Sequence, residues 1–214
     1  MTLHPDDSLL ALIEQVKTRY PGYEPLKIMV SQTDAEFDEA LEGLLEKTVI
    51  YAEQNANFLV EDSEDAITAF ITAYLNGSPG IRVLQQAHTN GHVDITVESD
   101  FPPLRRRLGE AKIYGGPTYH VKGLEQLVNR YSTGREGSGF VVEYVKDANI
   151  KDLIAKIRSH LDNTRPCSQN GDAQDHRIRW AFITYHQHSS GELLRVLHLS
   201  CNLHRSTATS SDVP

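Results

Sequence analysis

The sequence predicts an α/β protein: a central mixed β-sheet flanked by helices, with an N-terminal helical extension and a C-terminal β-hairpin. Three observations predict it. Two amphipathic helical stretches precede three consecutive strand-like stretches between residues 81 and 114. A helical stretch then separates these from a single apolar strand at 139–145, an order that puts a mixed sheet between helices. Finally, a turn at Ser189-Ser190-Gly191 joins two further strand-like stretches into a hairpin. A chain of 214 residues suffices for one good core.

Taken in order, residues 9–20 carry apolar side chains at helical spacing (Leu9, Leu10, Leu12, Ile13, Val16) and stop at Pro21-Gly22. Residues 25–30 read as a short strand. Residues 34–55 read as a long amphipathic helix with Phe37, Leu41, Leu44, Leu45 and Ile50 on its buried side. A second helix starts near Asp62-Ser63, either of which can cap it, and runs through Ile67, Phe70, Ile71 and Tyr74 to Asn76-Gly77.

Strands follow at 81–87, 92–98 and 106–114, separated by Thr89-Asn90-Gly91 and by Pro102-Pro103. Residues 120–131 are helical, 139–145 form a buried strand and 150–161 another helix. Residues 166–175 form an exposed loop, and the hairpin strands are 179–187 and 192–202. The expected organisation is an N-terminal extension at 1–58, a core at 59–204 and a disordered Ser/Thr-rich tail at 205–214.

Composition bounds the function. Hydrophobic content of 39% and charged content of 23% describe an ordinary soluble protein. Two cysteines, Cys167 and Cys201, make no disulfide framework, which implies a reducing compartment. The first residues lack the basic-then-apolar order of a signal peptide, and no apolar run approaches bilayer length. The expectation is a cytoplasmic protein off the membrane.

The net charge of -8 argues against nucleic acid, but its distribution does not. Residues 1–65 hold 15 acids against 4 bases. Residues 101–135 hold 7 bases (Arg105, Arg106, Arg107, Lys112, Lys122, Arg130, Arg135) against Glu110 and Glu125. Six of these bases, all but Lys112, are the candidate phosphate-backbone contacts. The acidic N-terminal part is either a solvated helical surface or a face for a protein partner.

The basic window surrounds a set of residues suited to phosphodiester chemistry. On the strand at 92–98, Val93, Ile95 and Val97 share one face and Asp94 and Thr96 the other. On the next strand Glu110 and Lys112, two apart, point to one side. If the strands pair, Asp94 and Glu110 meet over one cleft beside Lys112. Carboxylate oxygens suit a hard cation such as Mg²⁺, which binds substrate phosphate and activates water. A lysine beside it can orient that water or stabilise developing charge, and the Ala111 carbonyl offers another oxygen ligand.

Asp94 followed by Glu110-Ala111-Lys112 resembles the PD-(D/E)XK nuclease superfamily, with its restriction-endonuclease-like core; by element order the resemblance covers about residues 60–165. It implies Asp94 and Glu110 as metal ligands, Lys112 as the catalytic lysine, Glu64 as the acid on the preceding helix and Gln126 as the glutamine on the following one. The implied cofactor is Mg²⁺ or Mn²⁺. Two departures stand out: Val93 replaces a common proline, and the tyrosine often found four residues after the glutamine is here five after it, at Tyr131, with Arg130 in its place. The resemblance implies hydrolysis of DNA, most simply by an endonuclease in a restriction or anti-phage defence setting. A homodimer or a protein partner would then supply targeting.

Each residue also has a plainer reading. Asp94 can be a surface acid, Glu110 and Lys112 a solvated pair, Glu64 (or Asp65) an acid favoured by the helix dipole, and Gln126 surface polarity. Glu98 shares a face with Asp94 and is a rival ligand. The run Gly134–Gly139 precedes a strand rather than opening a helix, so it reads as a turn and not a dinucleotide loop. His186, His188, His198, Cys201 and His204, with Cys167 and His176 earlier, lack the paired short spacings of a zinc finger. The alternative function is a catalytically silent interaction subunit of a larger complex.

Overall fold

Strand alternation decides the architecture. In β4 (Ser138–Val145), Phe140, Val142 and Tyr144 enter one apolar cluster while Val141 and Val145 enter another. That is the period-two pattern of a strand buried on both faces. The protein, seen in a computed structural model describing residues 24–88 and 92–205 together with Ala11 and Glu14, is a seven-stranded mixed sheet between two helical layers. Of the helix expected over 9–20 only Ala11 and Glu14, both helical, are among the described residues, and the tail from 206 onward lies outside them.

The strands are β1 (Ile81–His88), β2 (His92–Ser99), β3 (Arg106–Ile113), β4, β5 (Gln174–Asp175), β6 (Ala181–Gln187) and β7 (Leu193–Asn202), ordered β1-β2-β3-β4-β7-β6-β5. The β3–β4 and β4–β7 pairs are parallel and the remaining pairs antiparallel. The C-terminal hairpin is therefore part of the sheet, with β7 clasped between β4 and β6.

The first helices are α1 (Glu24–Val30), α2 (Asp34–Gln54), the single turn α3 (Ala56–Leu59) and α4 (Glu64–Asn76). A capping box opens α2: Thr33 Oγ1 accepts from Glu36 N–H, and Glu36 Oε2 accepts from Thr33 N–H. Phe37, Leu41 and Leu45 of α2 join Ile67, Ile71 and Leu75 of α4 in one cluster with Ile95, Val97, Val142 and Leu197. No break in packing falls at 58/59. The opposite face carries α5 (Pro117–Glu125), a π-helical turn (Gln126–Tyr131) and α6 (Ile150–Thr164). These pack Leu124, Leu127, Ile154 and Ile157 against Leu108, Val141 and Val196.

Residues 166–175, expected as a loop, hold a short 3₁₀ turn (Pro166–Ser168) and the strand β5, and one further expected element changes type. Residues 25–30 form helix α1, not a strand. Its buried positions, Pro25 and Ile28, and Ser31 just beyond its end lie three apart, which is helical spacing, and proline is well placed in a first turn. Among the described residues no helix is long and apolar enough to cross a membrane.

Candidate functional site

The site grows out of a place where two strands part. The β2–β3 ladder ends at the pair Ile95↔Gly109. Beyond it the amides on that edge of β3, those of Ala111 and Ile113, have lost their strand partner. Buried amides need acceptors, and two carboxylates supply them. Asp94 Oδ2 accepts from Ala111 N–H (3.0 Å) and Glu64 Oε2 from Ile113 N–H (2.8 Å). Glu64 is delivered by the first turn of α4, whose Ser63 cap accepts from Ala66 N–H.

The divergence has a visible backbone cause. Ile95 and Val97 enter the α2/α4 core, whereas Val93 packs in the cluster on the other face. The shared face expected for all three is thus broken at Asp94. On β1, Gln86 stands between the partners of Ile95 and Val93 and carries φ +52. Such left-handed backbone in mid-strand marks a local kink.

The two anchored carboxylates and Glu110 surround one ammonium. Lys112 Nζ stands 2.6 Å from Glu110 Oε1, 3.3 Å from Asp94 Oδ2 and 3.4 Å from Glu64 Oε1, and it donates to the Ala111 carbonyl (3.1 Å). Asp94 and Glu110 therefore lie on one side of the sheet, close enough to share a cation. Glu110 is 1% exposed and its Oε2 is buried without a hydrogen-bond partner.

Burial pushes the Glu110 carboxyl up to about 8; the neighbouring Asp94 charge adds to this, and Lys112 offsets only part of it. For Lys112, burial works against the charged form, but the carboxylates, Glu110 first, outweigh it and raise the ammonium above the usual lysine range.

The helix behind is fitted to this pair. A Cβ at Gly123 would lie 3.1 Å from the Lys112 stem and 3.3 Å from that of Glu110, so the bare glycine lets α5 settle on both. The helix then continues as a π-helical turn. Its i→i+5 bonding places residues five apart over one another, and Gln126 Nε2 donates to Tyr131 Oη (3.4 Å). Burial raises the Tyr131 phenol, and the Glu110 charge raises it further. Tyr131, noted in the sequence only as offset from the usual spacing, is therefore a neighbour of the site.

The arginines divide. Arg105 and Arg107 are buried and do not face solvent phosphate. Arg105 Nε donates to Asp34 (2.8 Å), Arg107 Nε to Asp38 (2.6 Å), and both guanidiniums lie over the Phe37 ring. The expected nucleic-acid contacts at these two residues are corrected: the acidic stripe on α2 claims them. Arg106 pairs with Glu136 at 2.5 Å. Burial works to raise the Glu136 carboxyl, yet Arg106 and the Thr133 amide hold it down at about 2. Lys122, Arg130 and Arg135 are exposed, with Lys122 over Tyr119 and Arg130 over Tyr131. Glu98 pairs with Arg82 and takes no part in the site.

A buried polar chain, also unforeseen, adjoins the site. Glu143, register partner of Lys112, meets His120 Nδ1 (2.6 Å); His120 Nε2 meets His198 (2.8 Å); and Thr184 links His198 to His186 (both 2.7 Å). These histidines pin α5 and β7 together by hydrogen bonds.

Among the described residues no group of three or more His, Cys, Asp or Glu side chains is arranged to hold a metal ion on its own. The carboxylates here are gathered by an ammonium instead. By chemistry the residues nevertheless fit a hard divalent cation: the donors are all oxygen, one buried carboxylate oxygen is unpartnered, and three carboxylates face a single positive charge. No protein-family model matches this chain, and neither does any curated protein or solved structure.

Proposed function

We propose that the protein is a metal-dependent nuclease that hydrolyses phosphodiester bonds in DNA. The observation that carries this reading is the charge imbalance around Lys112: three convergent carboxylates, one of them raised to about 8, against one ammonium. Asp94 and Glu64 also accept from backbone amides, but charge balance with one ammonium does not need all three carboxylates. A divalent cation does.

Asp94 and Glu110, with the Ala111 carbonyl, would hold Mg²⁺ or Mn²⁺, and Glu64 would stand behind them. Such a cation, when bound, activates a water and neutralises charge on the scissile phosphate. Lys112, released from the carboxylates, orients the attacking water or steadies the charge that develops on phosphate oxygen. Tyr131 stands in the field of the Glu110 charge and accepts from Gln126, and the pair would orient water or substrate. Lys122, Arg130 and Arg135 take backbone phosphates. Cutting both strands of a duplex would call for a two-fold dimer, and the resemblance to PD-(D/E)XK enzymes suits a restriction or anti-phage defence effector.

The test compares wild type with Glu110→Ala and Lys112→Ala on plasmid, linear duplex, single-stranded DNA and RNA, with Mg²⁺, Mn²⁺ or chelator. Cation-dependent DNA cleavage in wild type alone supports the proposal. Equal cleavage by all three proteins, or none by wild type on any substrate, sinks it; the second result would favour a silent interaction subunit.

A further inference from the structure

Helix α4 is apolar on two sides. Its buried side, Ile67, Thr68, Ile71, Thr72 and Leu75, faces the core. Its outer side, Ala66, Ala69, Phe70, Ala73 and Tyr74, repeats the same helical spacing; Phe70 is half-buried and the other four are exposed. No charged residue falls between Ala66 and Ile81, in a chain that is 23% charged. The outer side of α6, by contrast, carries Lys151, Asp152, Lys156 and Ser159. A helix that is apolar all round belongs in an interior, so the outer side of α4 calls for a cover.

Helix α2 widens this face. The Tyr51 ring stacks on Tyr74, with centroids 4.5 Å apart, and on Phe70 at 5.4 Å. Tyr51 is 39% exposed, Tyr74 42% and Ile50, the neighbour of Tyr51, 46%. An aromatic side chain presents roughly 150–250 Å², so these side chains, with Phe70 and the three alanines, leave on the order of 500 Å² of bare apolar surface. Two such faces pressed together bury on the order of 1,000 Å², the size at which specific interfaces begin.

We propose that this face joins two copies of the chain across a two-fold axis, with α4 packed antiparallel against α4. Shape favours a second copy. Ala66 and Tyr74 lie four residues to either side of Phe70, so pairing about Phe70 sets each Tyr74 ring against the partner's Ala66, large against small. Charge favours the same arrangement. An uncharged face offers nothing to a partner selected by charge, and the antiparallel order keeps the two acidic helix starts, Glu64-Asp65, at opposite ends. The interface is independent of the nuclease reading and stands on α2 and α4 alone.

Sedimentation equilibrium of the full chain over a wide range of concentration tests this. Wild type is compared with Ala69→Glu, with Ala69→Lys and with an equimolar mixture of the two variants. Position 69 is exposed, and glutamate and lysine are good helix formers, so both variants fold; circular dichroism checks that they do. It also lies next to the proposed axis, where the two copies of an added charge meet.

Expected are a monomer–dimer equilibrium in wild type, association about a hundredfold weaker in each variant alone, and dimers regained in the mixture, where glutamate meets lysine. A merely damaged fold would not be rescued by mixing. Wild type that stays monomeric at every concentration overturns the proposal; the cover would then be residues 9–20 of the same chain or a different protein. A wild-type dimer unmoved by either charge, or a mixture no better associated than its components, overturns it as well.

Discussion

The two ends of β3 carry ionic clusters of opposite design. At its start, Arg105 and Arg107, joined by Arg195 from β7, meet Asp34, Asp38 and Glu42, spaced one helical turn apart along α2. Three cations answer three anions, and Phe37 lies beneath two of the guanidiniums. Five residues beyond Arg107, Lys112 answers three carboxylates by itself. The first cluster is closed and holds a helix to a sheet. The second has surplus negative charge in a buried setting, which costs stability unless another cation arrives. Buried ionic residues are thus no guide to function until their charges are counted.

The comparison breaks most decisively at Glu110 and Lys112. Glu110→Gln or Lys112→Ala should lower cation-dependent cleavage by about a thousandfold or more, while circular dichroism shows a folded chain. If either variant cleaves at the wild-type rate, the two ends of β3 do not differ in kind. Next comes Arg107→Ala, which takes the main partner from half-buried Asp38 and should cost about 2–3 kcal/mol in denaturant unfolding. Cleavage per folded molecule should stay unchanged.

The pH dependence sharpens the contrast further. Glu110 goes from an ordinary carboxyl near 4.5 to about 8 on folding, so across that window the folded chain holds a proton the unfolded chain has released. Stability should therefore fall as pH rises from about 4.5 to 8, by up to about 1.4 kcal/mol per pH unit. Glu110→Gln should lose that component and leave only the slope contributed by other groups, such as the raised Asp38 and Glu53 carboxyls and the lowered His186 and His198. Mg²⁺ should restore wild-type melting temperature above pH 8 and leave the variant unmoved; a wild-type melting temperature insensitive to Mg²⁺ would count against a cation site.

The smallest effects concern DNA affinity. Lys122→Ala, Arg130→Ala and Arg135→Ala should each weaken binding and reduce the salt-dependence slope by about one. Arg105→Ala should leave the slope unchanged, because its charge is already spent on Asp34.

Much of this was legible in the chain. Period-two alternation marked every strand of the sheet except the short β5, and strand alternation together with the Glu110-Ala111-Lys112 motif marked the three residues that converge with Glu64. What was hidden depended on partners distant in sequence. Arg105 and Arg107 read as a basic patch because nothing local shows that Asp34 and Asp38, some seventy residues earlier, neutralise them. The Val93–Asp94 break in alternation needs the Gln86 kink across the sheet. The Gln126–Tyr131 contact needs a π-turn, which residue types do not announce. The short segment at 25–30 was misjudged because apolar composition spoke louder than the three-residue spacing of its buried positions.

The carboxylates that cap the open edge of β3 hold two jobs at once. Asp94 and Glu64 close the amides of Ala111 and Ile113 whether or not any reaction takes place. Glu110 closes no edge amide, and Lys112 reaches only the carbonyl of the residue before it. A lineage that abandoned the chemistry would accordingly shed position 110 or 112 first and keep 64 and 94 as masonry, so decayed copies of this gene should be recognisable by which half of the quartet survives.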